Sequence, residues 1–271
     1  MTLKETIQTK RAAGQKMLAV LVDPEKFEGE STPPALRALS RSAWLPASLP
    51  FSEPKADWLF HPVSGEELCE PDFWFVGGST GESAEAAVRS IKAQSDVPVV
   101  LFPGNVQQFV ESADALLMLS LVSGRNPALL IGAQVSVARR VRACGIDTMS
   151  VGYILVDGGR LSSVEKASGT KALTDTDEII DTAIAAELLG MESVYLEAGS
   201  GALRPVSEQI IRAVREQIRV PLIVGGGIRT VEQMLAAYRA GADIVVIGNH
   251  FEEHPEEMEE FCGMRPLTLK E

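Results

Sequence analysis

The chain has 271 residues, 45% of them apolar, enough for a sizeable core and close to the ~250 residues of a (β/α)₈ barrel, although two small domains would also fit. Its 25 lysines and arginines face 37 aspartates and glutamates, a net charge of −12, which argues against a nucleic-acid partner and against attachment to anionic membranes by net charge. A local basic pocket stays open, because net charge says nothing about a single cleft. Cys69, Cys144 and Cys262 lack CxxC spacing, the polar start MTLKETIQTKRAAGQK lacks the apolar core of a secretion signal, and no apolar run approaches the ~20 residues of a membrane span. Together these predict a soluble cytoplasmic protein with reduced thiols and no transmembrane segment.

In chain order, short apolar runs alternate with helical patterns. The runs are MLAVLVDP (17–24), DFWFVGGS (72–79), PVVLFPG (98–104), ALLMLSLV (115–122), TMSVGYILVDG (148–158), SVYLEAGS (193–200), PLIVGGG (221–227) and DIVVIGN (243–249). They are rich in Val, Ile and Leu with little alternation, as for parallel strands buried on both faces. Helices are predicted over 82–94, over 175–190 with Asp175 and Thr176 as cap candidates and a stop at Gly190, over 205–218, and over 230–241 with a stop at Gly241. Eight strands alternating with helices predict an α/β fold, a single-domain (β/α)₈ barrel spanning 1–271, with a doubly wound open sheet as the alternative. Only 105–114 separate the third and fourth runs, so that helix is expected to be short or replaced by a loop. The stretch 41–71, with five prolines and no clean period, reads as an irregular insertion. HFEEHPEEMEEF (250–261) reads as a solvated acidic helix closing the barrel.

Barrels build their active sites at the C-terminal strand ends. Three glycine-rich turns fall there, YLEAGSG (195–201), GGGIRT (225–230) and GNHF (248–251), and glycine lets backbone N–H groups approach a phosphate closely. Tight turns alone are the plainer reading of each. Asp23, ending the first strand, either holds a hard cation such as Mg²⁺ or starts an Asp-Pro turn; Ser79, ending the second, either joins it or caps a helix. Glu197 and Tyr195 share one side of their strand, and a glutamate there suits a general base for a hydroxyl, a buried structural carboxylate being the alternative. Arg125 and Asn126 after the fourth strand, and Arg160, Lys166 and Lys171 after the fifth, either face phosphate or are surface groups. His61, His250 and His254 show no metal-ligand spacing, and His250, although near the mouth, reads as structural or incidental.

The strings LVDPEKF, FVGGST, LFPGN, SLVSGRNPALLIGAQ, GYILVDGG, YLEAGSGA, PLIVGGGIRT and VVIGNHFEE, in this order, resemble the geranylgeranylglyceryl phosphate synthase family and its bacterial heptaprenylglyceryl phosphate synthase relatives. The resemblance runs from about 14 to 261, omitting roughly 41–71, and is closest to the second archaeal and bacterial subgroup. It implies a Mg²⁺-dependent prenyltransferase of ether phospholipid biosynthesis that alkylates the C3 hydroxyl of sn-glycerol 1-phosphate with a polyprenyl diphosphate, usually geranylgeranyl diphosphate. Asp23 and Ser79 match the family's metal positions. Tyr195, Leu196, Glu197, Ala198, Gly199, Ser200, Gly201, Gly225, Gly226, Gly248 and Asn249 match its glycerol-phosphate site, with Glu197 and Tyr195 as the catalytic pair. A homodimer or homohexamer is implied as well. The 56 positions from Asp23 to Ser79 exceed the family's usual spacing, and the excess falls near 41–71. The rival readings are a phosphosugar isomerase or thiazole/thiamin-type synthase on the same barrel, and a phosphate-ligand binding protein with a decayed site.

Overall fold

The computed structural model describes residues 1–26, 58–60, 70–78 and 83–269. Its elements begin with α1 (Leu3–Ala12), β1 (Met17–Val22), β2 (Trp58–Phe60), β3 (Phe73–Val76) and α2 (Glu85–Lys92), then β4 (Val99–Leu101), β5 (Ala115–Leu121), α3 (Ala133–Cys144) and β6 (Asp147–Leu155). There follow α4 (Ser163–Ser168), α5 (Thr176–Leu188), β7 (Ser193–Glu197), α6 (Glu208–Gln217), β8 (Leu222–Gly225), α7 (Val231–Ala240), β9 (Ile244–Ile247), α8 (Asn249–Glu253), α9 (Met258–Gly263) and β10 (Pro266–Leu269).

Strands β1, β3, β4, β5, β6, β7, β8 and β9 close into a parallel barrel, sealed by the pairing of Met17 through Val20 with Ile244 through Ile247. All eight expected runs contribute one strand, and the ring excludes the open sheet. Successive side chains on a strand point to opposite faces, so each strand feeds two cores. Leu18, Val20, Trp74, Val76, Leu196, Val224 and Val245 face the helices. Met17, Ala19, Phe73, Phe75, Val100, Leu117, Tyr195 and Val246 fill the interior. Inside the ring, Phe75 stacks on Phe102 at 6.0 Å between centroids, Phe102 meets Tyr195 at 5.4 Å, and Tyr195 meets Tyr153 at 5.1 Å. Each fully buried ring of this column contributes roughly 1.5–3 kcal/mol of burial energy, and the column ends in two phenols.

Helix caps follow the sequence cues. The Asp175 carboxylate accepts from the Glu178 amide at 2.9 Å, and Thr230 caps α7, which stops at Gly241 with φ +115°. A 3₁₀ turn, Val106–Gln108, replaces the helix between β4 and β5, as the short spacing required. One expectation, a single solvated acidic helix in the tail, needs correction, and two other stretches gain elements that the sequence reading did not name. The polar start forms α1, capped by reciprocal bonds between Thr2 and Glu5, whose buried Leu3 and Ile7 join the interior core at the barrel's N-terminal end. The acidic tail is not one solvated helix. A 3₁₀ turn at Pro255–Glu257 splits it into α8 and α9, and Phe251, Met258, Phe261 and Cys262 are buried beneath it. Most of 41–71 lies outside the described residues, yet Trp58–Phe60 within it forms β2, which pairs antiparallel with β10 and ties the stretch to the end of the chain.

Candidate functional site

Because all barrel strands run parallel, their C-terminal ends share one rim, and a cavity of about 590 Å³ opens there. Its polar end is built by Tyr195 and Glu197 of β7, Gly199 through Gly201 behind them, Gly226 and Gly227 after β8, and Gly248 and Asn249 after β9. Asp23 and Gly78, from the ends of β1 and β3, lie on the same wall system. The other end is apolar, with Phe109, Leu116, Met118, Leu119, Leu129 and Val137. The missing helix between β4 and β5 leaves room for this half.

Register explains the catalytic-looking cluster. Tyr153 pairs with Tyr195, and Glu197 sits between Leu155 and Gly225 at the rim. Glu197 is 6% exposed, and its Oε1 accepts from the Gly199 amide at 2.6 Å. Burial pushes its carboxyl above the usual carboxylate range. The Gly199 amide and the hydroxyls of Tyr195 and Tyr153 pull in the opposite direction without cancelling it. Burial likewise raises both phenols well above their ordinary value, with the Glu197 charge adding to it. The Tyr195 hydroxyl comes near enough to Glu197 to act on its charge, yet its distance and angle complete no hydrogen bond, and it is fully buried without a partner. A buried polar group left so costs roughly 1–3 kcal/mol, which a ligand oxygen would recover.

Two glycines make the cluster possible. A Cβ on Gly225 would lie 2.1 Å from the Tyr195 hydroxyl, and one on Gly226 (φ +82°) would lie 2.4 Å from Glu197 Oε1. Side chains tie the rim loops together. Ser200 Oγ donates to Asn249 Oδ1 at 3.2 Å, and Arg229 Nη2 donates to the Ala202 carbonyl at 2.6 Å. Gln108, fully buried, accepts from the amides of Gly104 at 2.9 Å and Gly78 at 3.4 Å.

The structure brings most of the expected residues together and separates others. Leu196 and Ala198 face the outer core rather than the cavity, and Gly225 backs the cluster from behind. Ser79 and His61 lie outside the described residues. Asp23 lines the cavity, and its Oδ1 also accepts from the Glu25 amide at 3.0 Å, so the turn role and the cavity role coexist. Arg125, Asn126, Arg160, Lys166 and Lys171 do not line the cavity; Arg125 donates to the Val122 and Gly124 carbonyls, and Asn126 accepts from the Ala128 amide. Among the described residues Arg229 is the lining arginine. His250 lines the cavity and its Nε2 bonds to Glu257 at 2.8 Å. Tyr153, Gln108, Gln134 and Arg229 were not singled out by sequence. Only Arg229, inside the GGGIRT turn, had a local signal there.

Fold and site together define a (β/α)₈-barrel enzyme whose cavity joins a glycine-lined polar pocket to an apolar groove. The chain belongs to the PcrB family, whose model matches residues 69–263. A relative from Zunongwangia profunda named geranylgeranylglyceryl phosphate synthase is 43% identical over 242 residues, covering 88% of this chain and 92% of its own. The solved synthase of Thermoplasma volcanium superposes with a TM-score of 0.80 at 26% identity over 100% of both chains. The structure of the (S)-3-O-geranylgeranylglyceryl phosphate synthase of Thermoplasma acidophilum in complex with sn-glycerol-1-phosphate gives 0.77 at 28% identity, over 97% of this chain and 99% of that one.

Proposed function

We propose that this protein is a prenyltransferase of ether-lipid biosynthesis that joins sn-glycerol 1-phosphate to a polyprenyl diphosphate, geranylgeranyl diphosphate being the expected donor. The observation that carries this reading is the buried Glu197, beside the unpartnered Tyr195 hydroxyl, at the junction of a glycine-lined pocket and an apolar groove. The amides of the β7, β8 and β9 loops suit the phosphate of the acceptor. Glu197 takes the proton of the C3 hydroxyl, the oxygen forms a bond to C1 of the prenyl chain, and the C1–oxygen bond to diphosphate breaks, releasing diphosphate. A carboxyl raised by burial is a stronger base than an exposed one, which suits that transfer. The Tyr195 hydroxyl donates to an acceptor-substrate oxygen and so orients it. The apolar half, from Phe109 to Val137, takes the prenyl tail and has no use in an isomerase of small phosphosugars.

Mg²⁺ fits the site by its chemistry. Asp23 offers a carboxylate to the cavity from the end of β1, next to the β9 turn in the ring, and hard oxygen donors completed by substrate oxygens are what Mg²⁺ selects. With Ser79 as the second protein oxygen, the ion would neutralise the departing diphosphate. We place the protein in the cytoplasm as a homodimer or homohexamer; no helix among the described residues is long and apolar enough to cross a membrane. The test is incubation with labelled sn-glycerol 1-phosphate, geranylgeranyl diphosphate and Mg²⁺. A phosphate label that extracts into organic solvent, and that chelation of Mg²⁺ or Asp23→Asn abolishes, is expected. Label that stays in water refutes the transfer, and label that survives chelation refutes the metal.

A further inference from the structure

Among the described residues, eight large apolar side chains are exposed, and five of them stand on the rim around the cavity mouth. Val106 follows β4, Ile131 and Val135 follow β5, Leu161 follows β6, and Leu203 follows β7. These four strands are consecutive in the ring, so the side chains belong to one sector of one face. Val106 is both 38% exposed and part of the cavity lining, which makes the sector continuous with the apolar groove.

The same loops carry the cations that the anion pocket does not use. Arg125, Arg160, Lys166 and Lys171 are exposed and stand away from the cavity. From 122 to 171 the chain has seven arginines and lysines against three carboxylates, in a protein of net charge −12; Arg139, Arg140 and Arg142 lie on α3, which leaves these four cations on the segments after β5 and β6. Those carboxylates are occupied. Asp147 accepts from the Leu3 amide at the far end of the barrel, Asp157 pairs with Arg204 at 2.5 Å, and Glu165 accepts from the amides of Ser162 and Ala172. The acidic surface lies across the ring, after β9, where Glu252, Glu253, Glu256 and Glu257 cluster. Charge is felt over about a Debye length, ~10 Å, so this sector acts on a nearby surface independently of the net negative charge.

We propose that the rim sector after β4 to β7 is a docking surface for an anionic lipid bilayer. Exposed aliphatic side chains enter the headgroup boundary, the four cations meet lipid phosphates, and the acidic sector faces away. This seats the mouth of the apolar groove on the membrane, so that a chain too apolar for water reaches the groove from lipid. The binding goes beyond the prenyltransferase reading and does not require it to be right.

The experiment is flotation of the full chain with vesicles, without substrate. Phosphatidylcholine vesicles containing about one-third phosphatidylglycerol should carry the protein upward at low salt, pure phosphatidylcholine far less, and added salt should release it. The triple variant Arg160→Glu, Lys166→Glu, Lys171→Glu should bind at least about 10²-fold more weakly, since each cation contributes roughly five-fold. Its turnover of a short, water-soluble prenyl diphosphate should match wild type, which shows an intact fold and separates failure of docking from failure of catalysis. Absence of flotation, or binding insensitive to lipid charge and to the triple variant, overturns the proposal. So does sedimentation showing that Ile131→Ser with Val135→Ser splits an oligomer, since a second copy would then cover the patch.

Discussion

Gly226→Ala is the sharpest test of where the chemistry sits. Gly226 has φ +82°, so any other residue there carries left-handed backbone strain of about 1–2 kcal/mol. Its Cβ would also stand 2.4 Å from Glu197 Oε1 and 2.6 Å from the Gly199 amide, whereas ordinary contact begins near 3.4 Å. The carboxylate must therefore retreat by about 1 Å, and a misplacement of that size costs roughly 10²-fold in rate, about 2.7 kcal/mol of barrier. Gly14→Ala supplies the control. Its φ is +71°, a Cβ there meets nothing within 4 Å, and it lies in the turn after α1, at the opposite end of the barrel. Both variants should melt a few degrees below wild type, since about 1 kcal/mol shifts the melting temperature of a chain this size by roughly 2–4 °C. Only Gly226→Ala should lose turnover, measured as label from sn-glycerol 1-phosphate entering the organic phase. Turnover within about three-fold of wild type for Gly226→Ala, at saturating substrate, refutes the assignment of Glu197 to the reacting centre.

Glu197→Gln keeps an acceptor for the Gly199 amide but removes the base, and kcat should fall about 10²–10⁴-fold. A carboxyl raised in the folded state binds its proton more readily folded than unfolded, so stability falls as pH rises from the ordinary carboxylate range through the raised value. The variant should thus melt above wild type at neutral pH, with the gap closing as pH is lowered through that window; a gap that ignores pH contradicts the burial argument. Met118→Trp narrows the apolar half of the cavity and should shift preference toward shorter prenyl diphosphates in a competition assay, an unchanged preference placing the tail elsewhere. Asp72→Ala removes a carboxylate shared by Lys10, Arg265 and the Leu18 amide and leaves the Arg265 charge buried, so denaturant unfolding should show a loss of about 3–5 kcal/mol. A loss under about 1 kcal/mol would mean the arginine finds water or another partner.

What the sequence revealed and what it hid divide by the range of the interaction. Parallel strands buried on both faces write themselves as continuous runs such as DIVVIGN, so all eight were legible, and ring closure followed from their number and spacing. Glu197 with Tyr195 was legible because i and i+2 share a face, a relation internal to one strand. Tyr153 was not, because it joins them only through the pairing of β6 with β7, set by the whole ring. Gln108 was invisible for the same reason, since its acceptor serves two loops from different strands. Some misses were errors of reading rather than of range. Thr2, Leu3, Lys4 and Glu5 spell a capping box in plain view, and Leu3 with Ile7 is a helical apolar pair, so α1 was within reach. In the tail, Pro255 and the apolar set Phe251, Met258 and Phe261 outvoted the acidic count. The loop cations show the opposite hazard. A lysine beside a phosphate site reads as a ligand until the fold turns it outward, and here four such cations share a rim with five exposed aliphatic side chains. On the proposed reading, anion binding at this mouth draws on the backbone amides of the glycine turns, which leave no trace in a count of basic residues, beside the single lining arginine Arg229 among the described residues. A net charge of −12 is therefore compatible with the two anionic substrates proposed for this cavity.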